Sequence, residues 1–150
     1  MPKFIYILWY PSHKYWDNIE KRLNNSEDMK IVKSREYKFS SEKDFETVLT
    51  RIYKTDTIGS ENWMHIQKKI NMLVRKNSAS WQFKVLYVKV KNPKYKWYSF
   101  TVQTMHLIKL KRQIRNKFRD FIPNYKYDII IHSTDNVRQT YLLKNVLRKL

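Results

Sequence analysis

Lys3-Phe-Ile-Tyr-Ile-Leu-Trp-Tyr10, stopped by Pro11, holds the longest apolar run of the chain, from Phe4 to Trp9. Its residues are β-branched or aromatic and do not alternate with polar ones, which predicts a strand buried on both faces. The run is too short to span a bilayer. Lys3 and the run after it resemble the start of a signal peptide, but no small-residue cleavage site follows. The expectation is therefore an intracellular protein, cytoplasmic or nuclear or inside an infected cell, with no membrane partner.

The other elements follow outward from that strand. Trp16, Ile19 and Leu23 share one face of a helix over 14–24. Residues 29–39 alternate loosely and predict a more exposed strand. Ser41-x-x-Asp44 resembles a capping box, and the helix behind it carries Phe45, Val48, Leu49 and Ile52. The chain breaks over 55–60. Ser60 then caps a helix with Trp63, Ile66, Ile70 and Leu73 inward. Trp81 to Val90 alternates most cleanly, with Phe83, Val85 and Tyr87 on one face. After a basic aromatic loop over 91–97, residues 103–121 place Leu107, Leu110, Ile114, Phe118 and Phe121 at helical spacing. Residues 127–131 predict a short buried strand. Asp135 then caps a last helix with Val137, Leu142, Val146, Leu147 and Leu150 inward. The order β-α-β-α-α-β-α-β-α, with no repeat or linker, predicts one α/β (α+β) domain over 1–150. Its architecture is expected to be ferredoxin-like: an antiparallel four-stranded sheet with helices mainly on one face.

Composition narrows the function. With no cysteine, disulfides, Cys-ligated zinc and cysteine nucleophiles are excluded. The single glycine, Gly59, excludes Gly-rich phosphate loops. His13, His65 and His106 have no metal-ligand spacing, so no metal site is expected. The net charge is +18 and lies mostly in one half: residues 76–150 hold 17 Lys/Arg against three acids, a net of +14. Such an excess repels itself unless a polyanion relieves it, and nucleic acid is the commonest such partner.

Three constellations point to where that anion binds. In Ile129-Ile-Ile-His-Ser-Thr-Asp-Asn-Val137 a buried strand delivers His132 beside a helix N-terminus, where backbone N–H groups attract phosphate and an imidazole is suited to proton or phosphoryl transfer. A plain capping turn formed by Ser133, Thr134 and Asp135 is the alternative. In the 103–121 helix, Lys109, Lys111, Arg112, Arg115, Lys117 and Arg119 flank the apolar stripe with Asp120 as the only acid, as a helix docking on phosphate backbone would. A solvated face or a membrane-surface segment is the competing reading. In Lys91-Asn-Pro-Lys-Tyr-Lys-Trp-Tyr98, Lys94 and Lys96 alternate with rings that include Trp97, as in a single-strand stacking platform. The alternative there is a hairpin or loop with its aromatics turned into the core.

The Ile-Ile-His132-x-Thr134-Asp135 run resembles the signature of nucleoside diphosphate kinases, and Ile114-Arg-Asn-Lys-Phe118 is similar to that family's Ile-Arg-x-x-Phe element. The resemblance implies His132 as phosphoryl acceptor, Arg115 as phosphate ligand, Thr134 as hydroxyl partner of the histidine, Mg-nucleotide as substrate, and hexamers as the usual assembly. Several positions depart from the pattern. The family's lysine before the N-terminal proline is Tyr10, its asparagine before the histidine is Ile129, and its orienting glutamate is Leu143. Ser133 stands for a glycine, and Thr104-Met-His-Leu stands where Thr-Gly-Arg is expected. One phosphate clamp and one orienting group are thereby lost. The expected function is thus polyanion binding, to nucleic acid or nucleotide, on a divergent fold of this type. The alternatives are phosphotransfer through His132, and a viral or particle packaging role.

Overall fold

The computed structural model describes residues 1–56, 63–76, 80–98 and 101–150. The strand read first is β1 (Lys3–Trp9), and Phe4 to Trp9 are all completely buried. Three further strands share its sheet: β2 (Met29–Lys38), β3 (Gln82–Val90) and, after two hairpin strands described below, β6 (Ile131–Ser133). The sheet order is β2-β3-β1-β6 and every pair is antiparallel. β1 pairs with β3 from Lys3↔Lys89 to Trp9↔Phe83, and with β6 through Ile7↔His132. This is the ferredoxin-like arrangement that the element order predicts. β2 forms one edge, where Lys30, Lys33, Arg35, Glu36 and Lys38 are exposed. Charges of this kind oppose pairing with another sheet.

Five helices cover the sheet: α1 (Trp16–Asn24), α2 (Glu42–Lys54), α3 (Trp63–Asn71), α4 (Met105–Phe118) and α5 (Val137–Arg148). The Tyr6 hydroxyl donates to the Leu107 carbonyl at 2.9 Å, so α4 lies over the face of β1 that carries Tyr6. α1 is beside it, with Arg22 donating to Gln113 at 2.7 Å. On the opposite face Trp9 stacks on Tyr53 of α2, and α2 in turn packs against α3 and α5. Helices therefore cover both faces, not mainly one. A central strand with every side chain from Phe4 to Trp9 fully buried requires cover on both sides.

Local boundaries differ from the sequence reading for identifiable reasons. Tyr10 leaves the sheet because Pro11 starts a 3₁₀ turn over Tyr10–Tyr15. The last strand is 131–133 rather than 127–131. Asn124 and Tyr127 have φ of 56° and 63°, a region that ends extended chain. Residues 95–104 form a hairpin, β4 (Tyr95–Tyr98) with β5 (Thr101–Thr104), so α4 begins at Met105. Phe121 falls in a 3₁₀ turn after α4 and is mostly exposed. Ser41 caps α2 as read, accepting from Asp44 N. Ser60, read as the cap of α3, lies outside the described residues. The cap of α5 is Asn136 rather than Asp135. Asn136 Oδ1 accepts from Gln139 N at 2.9 Å, while the Asp135 backbone N–H is taken by Gln139 Oε1 at 2.8 Å. α5 consequently turns Leu143 and Leu147 inward and leaves Val137 exposed.

Candidate active site

β6 is the second sheet edge, and its pairing decides which way His132 points. Opposite Ile7, the imidazole faces the α2 side of the sheet. There it is 4% exposed, edge-on to Tyr53 at 5.2 Å and tilted against Trp9 at 6.4 Å between centroids. His132 is thus in the middle of a three-residue strand, not at the end of one.

Because β6 is an edge, one shoulder of α4 reaches round it. Arg115 Nη2 donates to the free Ile131 carbonyl at 2.8 Å, and Nη1 is 3.4 Å from Asp128 Oδ2. Lys111, one turn earlier, shares that shoulder. Lys69 comes from α3, with Nζ over the Tyr53 ring at 5.3 Å. Three cations from two helices therefore surround one histidine, accompanied by Asp56, Asp128 and Asp135.

The electrostatics follow from crowding and exclusion of water. Burial, then the neighbouring Arg115, lowers Lys111 to about 8 despite Asp135 and Asp56. Lys69 is lowered for the same first two reasons. Burial and then Asp135 raise Asp56 to about 6, and burial raises Asp135. His132 is pushed well below its ordinary value by burial, then by Lys111, Lys69 and Arg115. Its Nε2 is 3.8 Å from Asp56 Oδ2. That contact is a neutral ring beside a carboxylate rather than an ion pair, since three cations and a dry site outweigh one partially screened acid.

Donors around the ring are left over. Among the described residues Trp9 Nε1, Tyr53 Oη and Arg115 Nε are buried without a hydrogen-bond partner. Unsatisfied buried donors are uncommon and costly. A phosphoryl group is acceptor-only and anionic, so it matches both the donors and the cations. No group of three His, Asp or Glu among the described residues is placed to hold a metal.

The predicted residues divide. His132, Arg115 and Lys111 come together, whereas Lys109, Arg112, Lys117 and Arg119 are exposed on other sides of α4. The six cations of the helix are thus not one surface, because Lys111 and Arg115, spaced i, i+4, are drawn to the free edge of β6. Lys94, Lys96 and Trp97 are exposed on the hairpin. Thr134 is buried, but its hydroxyl accepts from Ile5 N at 3.1 Å and from Thr140 at 2.7 Å, which joins α5 to β1. Leu143 is fully buried in the core. Sequence reasoning missed Lys69, Tyr53, Trp9, Asp56 and Asp128. Each looks like core or solvated surface in its own segment, and only Asp56, an acid in a break beside a buried helix end, carried any local signal. No described helix is long and apolar enough to cross a membrane.

No protein-family model matches the chain, and no curated protein matches it in sequence. Three solved structures are similar to it over almost the whole chain. The Aquifex aeolicus nucleoside diphosphate kinase superposes with a TM-score of 0.56 at 9% identity, over 97% of this chain and 94% of that one. The nucleoside-diphosphate kinase of Borrelia burgdorferi, in a transition-state mimic with vanadate and ADP, gives 0.54 at 13% identity, over 96% and 84%. An NDP kinase from Pyrobaculum aerophilum gives 0.51 at 14% identity, over 98% and 93%. At such identities the likeness establishes a nucleoside diphosphate kinase-like fold, and function has to be argued from the site.

Proposed function

We propose that this protein binds a polyanion at the His132 cluster, and that the anion is the phosphate chain of a nucleotide, brought as its Mg complex. The observation that carries this reading is the convergence of Lys69, Lys111 and Arg115 with unpartnered donors on Trp9, Tyr53 and Arg115. Each phosphate oxygen entering the site satisfies a donor and lowers the mutual repulsion of the cations. Equilibrium dialysis with MgADP tests it. Binding is expected in wild type, to fall at least tenfold in Lys111→Met and in Lys69→Met, and to survive in Lys117→Met outside the cluster. Wild-type affinity in both cluster variants refutes it.

A catalytic reading is favoured by the depressed basicity of His132. An imidazole held neutral has an unprotonated nitrogen available to attack a γ-phosphoryl group, and the three cations stabilise charge on the transferring oxygens. No carboxylate replaces the orienting glutamate at Leu143, so transfer is expected to be slow. Radiolabelled ATP should give acid-labile labelling that His132→Gln abolishes. No labelling with Mg or Mn present leaves a binding protein.

Nucleic acid is the partner favoured by the outer surface. Lys91, Lys94, Lys109 and Arg112 surround a groove of about 540 Å³ between the hairpin base and α4, with Asp28 its only acid. Affinity for single strands should fall steeply with salt and drop in Lys109→Ala/Arg112→Ala. Salt-independent binding ends that reading. No feature of the fold favours a packaging role over these.

A further inference from the structure

The β4–β5 hairpin lies outside the main sheet, and a two-stranded hairpin is marginal on its own. Here it is fixed to the segment just after His132. Thr104 donates to the Asp135 carbonyl through both its backbone N–H at 2.7 Å and its hydroxyl at 2.8 Å. Asn136 Nδ2 donates to the Val102 carbonyl at 2.9 Å, so the residue that caps α5 also holds the hairpin. The hairpin thereby walls a cavity of about 490 Å³ against the end of α2 and the start of α5. Its apolar lining is Tyr95, Trp97, Val102, Val137 and Leu142. In a chain with mean hydropathy of −0.71, Trp97 is 74% exposed and Val137 53%. Exposed rings and aliphatic groups gathered round one cavity mark a ligand or partner surface.

Position and charge select the occupant. Thr55 lines the cavity and Asp56 lies against His132. Asn136 lines it, and Asp135 belongs to the charged cluster. Consecutive Cα atoms are about 3.8 Å apart, so the cavity and the cluster meet along two stretches of chain. The polar groups of Asn136 and Gln139 on the cavity wall are already engaged within the protein, which leaves stacking as the main mode of contact. Arg138 on the rim adds positive charge rather than a carboxylate.

We propose that this cavity takes the base of the nucleotide whose phosphates lie on Lys69, Lys111 and Arg115, with Trp97 as the stacking surface. The proposal rests on the phosphate reading above and adds a base subsite built by the hairpin. Because the contact is stacking on a π-face, the subsite is expected to accept purines and pyrimidines, purines more tightly.

Titration calorimetry of the full chain with inorganic tripolyphosphate and with ATP, both with Mg, separates the two claims. In wild type ATP is expected to bind more tightly than tripolyphosphate by about 5- to 100-fold, the range that one stacked base supplies. Trp97→Ala should remove that difference and leave tripolyphosphate affinity unchanged. With so exposed a side chain, the variant should melt at the wild-type temperature, which a thermal scan verifies. Equal affinities in wild type, or a preference for ATP that survives in Trp97→Ala, overturns the base subsite while leaving the phosphate site standing. If tripolyphosphate and ATP both fail to bind, the phosphate reading falls and the subsite with it. If an oligonucleotide binds through Trp97 and ATP does not, the surface belongs to single strands and the proposal is wrong.

Discussion

Replacing Asp56 by asparagine should make the protein more stable at neutral pH, although it deletes a charge that faces cations. The carboxylate is raised to about 6 in the fold, from an ordinary value near 4. Its side chain keeps 28% of its exposure, so some water remains to it. A carboxyl that binds its proton more tightly folded than unfolded favours the fold when protonated. That contribution is full below about pH 4 and is lost as pH rises through about 6. Above pH 7 the ionised group therefore opposes folding, by about 2–3 kcal/mol from two pK units at about 1.4 kcal/mol each, the lower figure allowing for residual solvation. Asparagine has the shape of the protonated acid without the charge, and should recover most of that. For a chain of this size the gain corresponds to roughly 5–10 °C in Tm. Thermal melts of wild type and Asp56→Asn at pH 7.5, 4.5 and 3 provide the measurement. The advantage should be largest at pH 7.5, about 1 kcal/mol at pH 4.5 and absent at pH 3. A variant that melts at or below wild type at pH 7.5, or gains equally at all three values, refutes the argument that Asp56 is held ionised against its environment.

Three further outcomes follow from the same structure. Lys111, lowered to about 8, should make tripolyphosphate affinity fall as pH rises through 8, a dependence that Lys111→Arg should flatten; a level profile in wild type to pH 9.5 would remove Lys111 from the binding site. Leu143→Ala should cost about 2–5 kcal/mol in denaturant melts because the side chain is fully buried, and Leu143→Glu should be worse still because it buries a carboxylate. A folded Leu143→Glu with wild-type stability would show that the position faces the site instead of the core. Asn136→Ala should lose about 1–2 kcal/mol through its cap to Gln139 and its bond to Val102, and Asn136→Asp, which keeps the acceptor and loses the donor, should fall between it and wild type.

The apolar run Phe4–Trp9 and the alternation of Trp81–Val90 determined their strands without help from the rest of the chain. Burial on both faces and burial on one leave different periodicities, and those are visible in a single segment. The order of elements was then enough for the sheet topology, and the charge and the His132 run were enough to point to phosphate. Other features were not available locally. The hairpin at 95–104 is a stretch of lysines and aromatics whose pairing depends on its docking to Asp135 and Asn136. The division of the α4 cations depended on which strand edge lay beside them, so six residues that look alike in sequence became two site groups and four surface ones. Lys69, Tyr53 and Asp56 join His132 from segments more than sixty residues away. Sequence alone determines where side chains face relative to their own backbone. Which charges share a dry space, and hence which of them are shifted enough to hold a phosphate, is decided only when the sheet closes and water is excluded from between its helices.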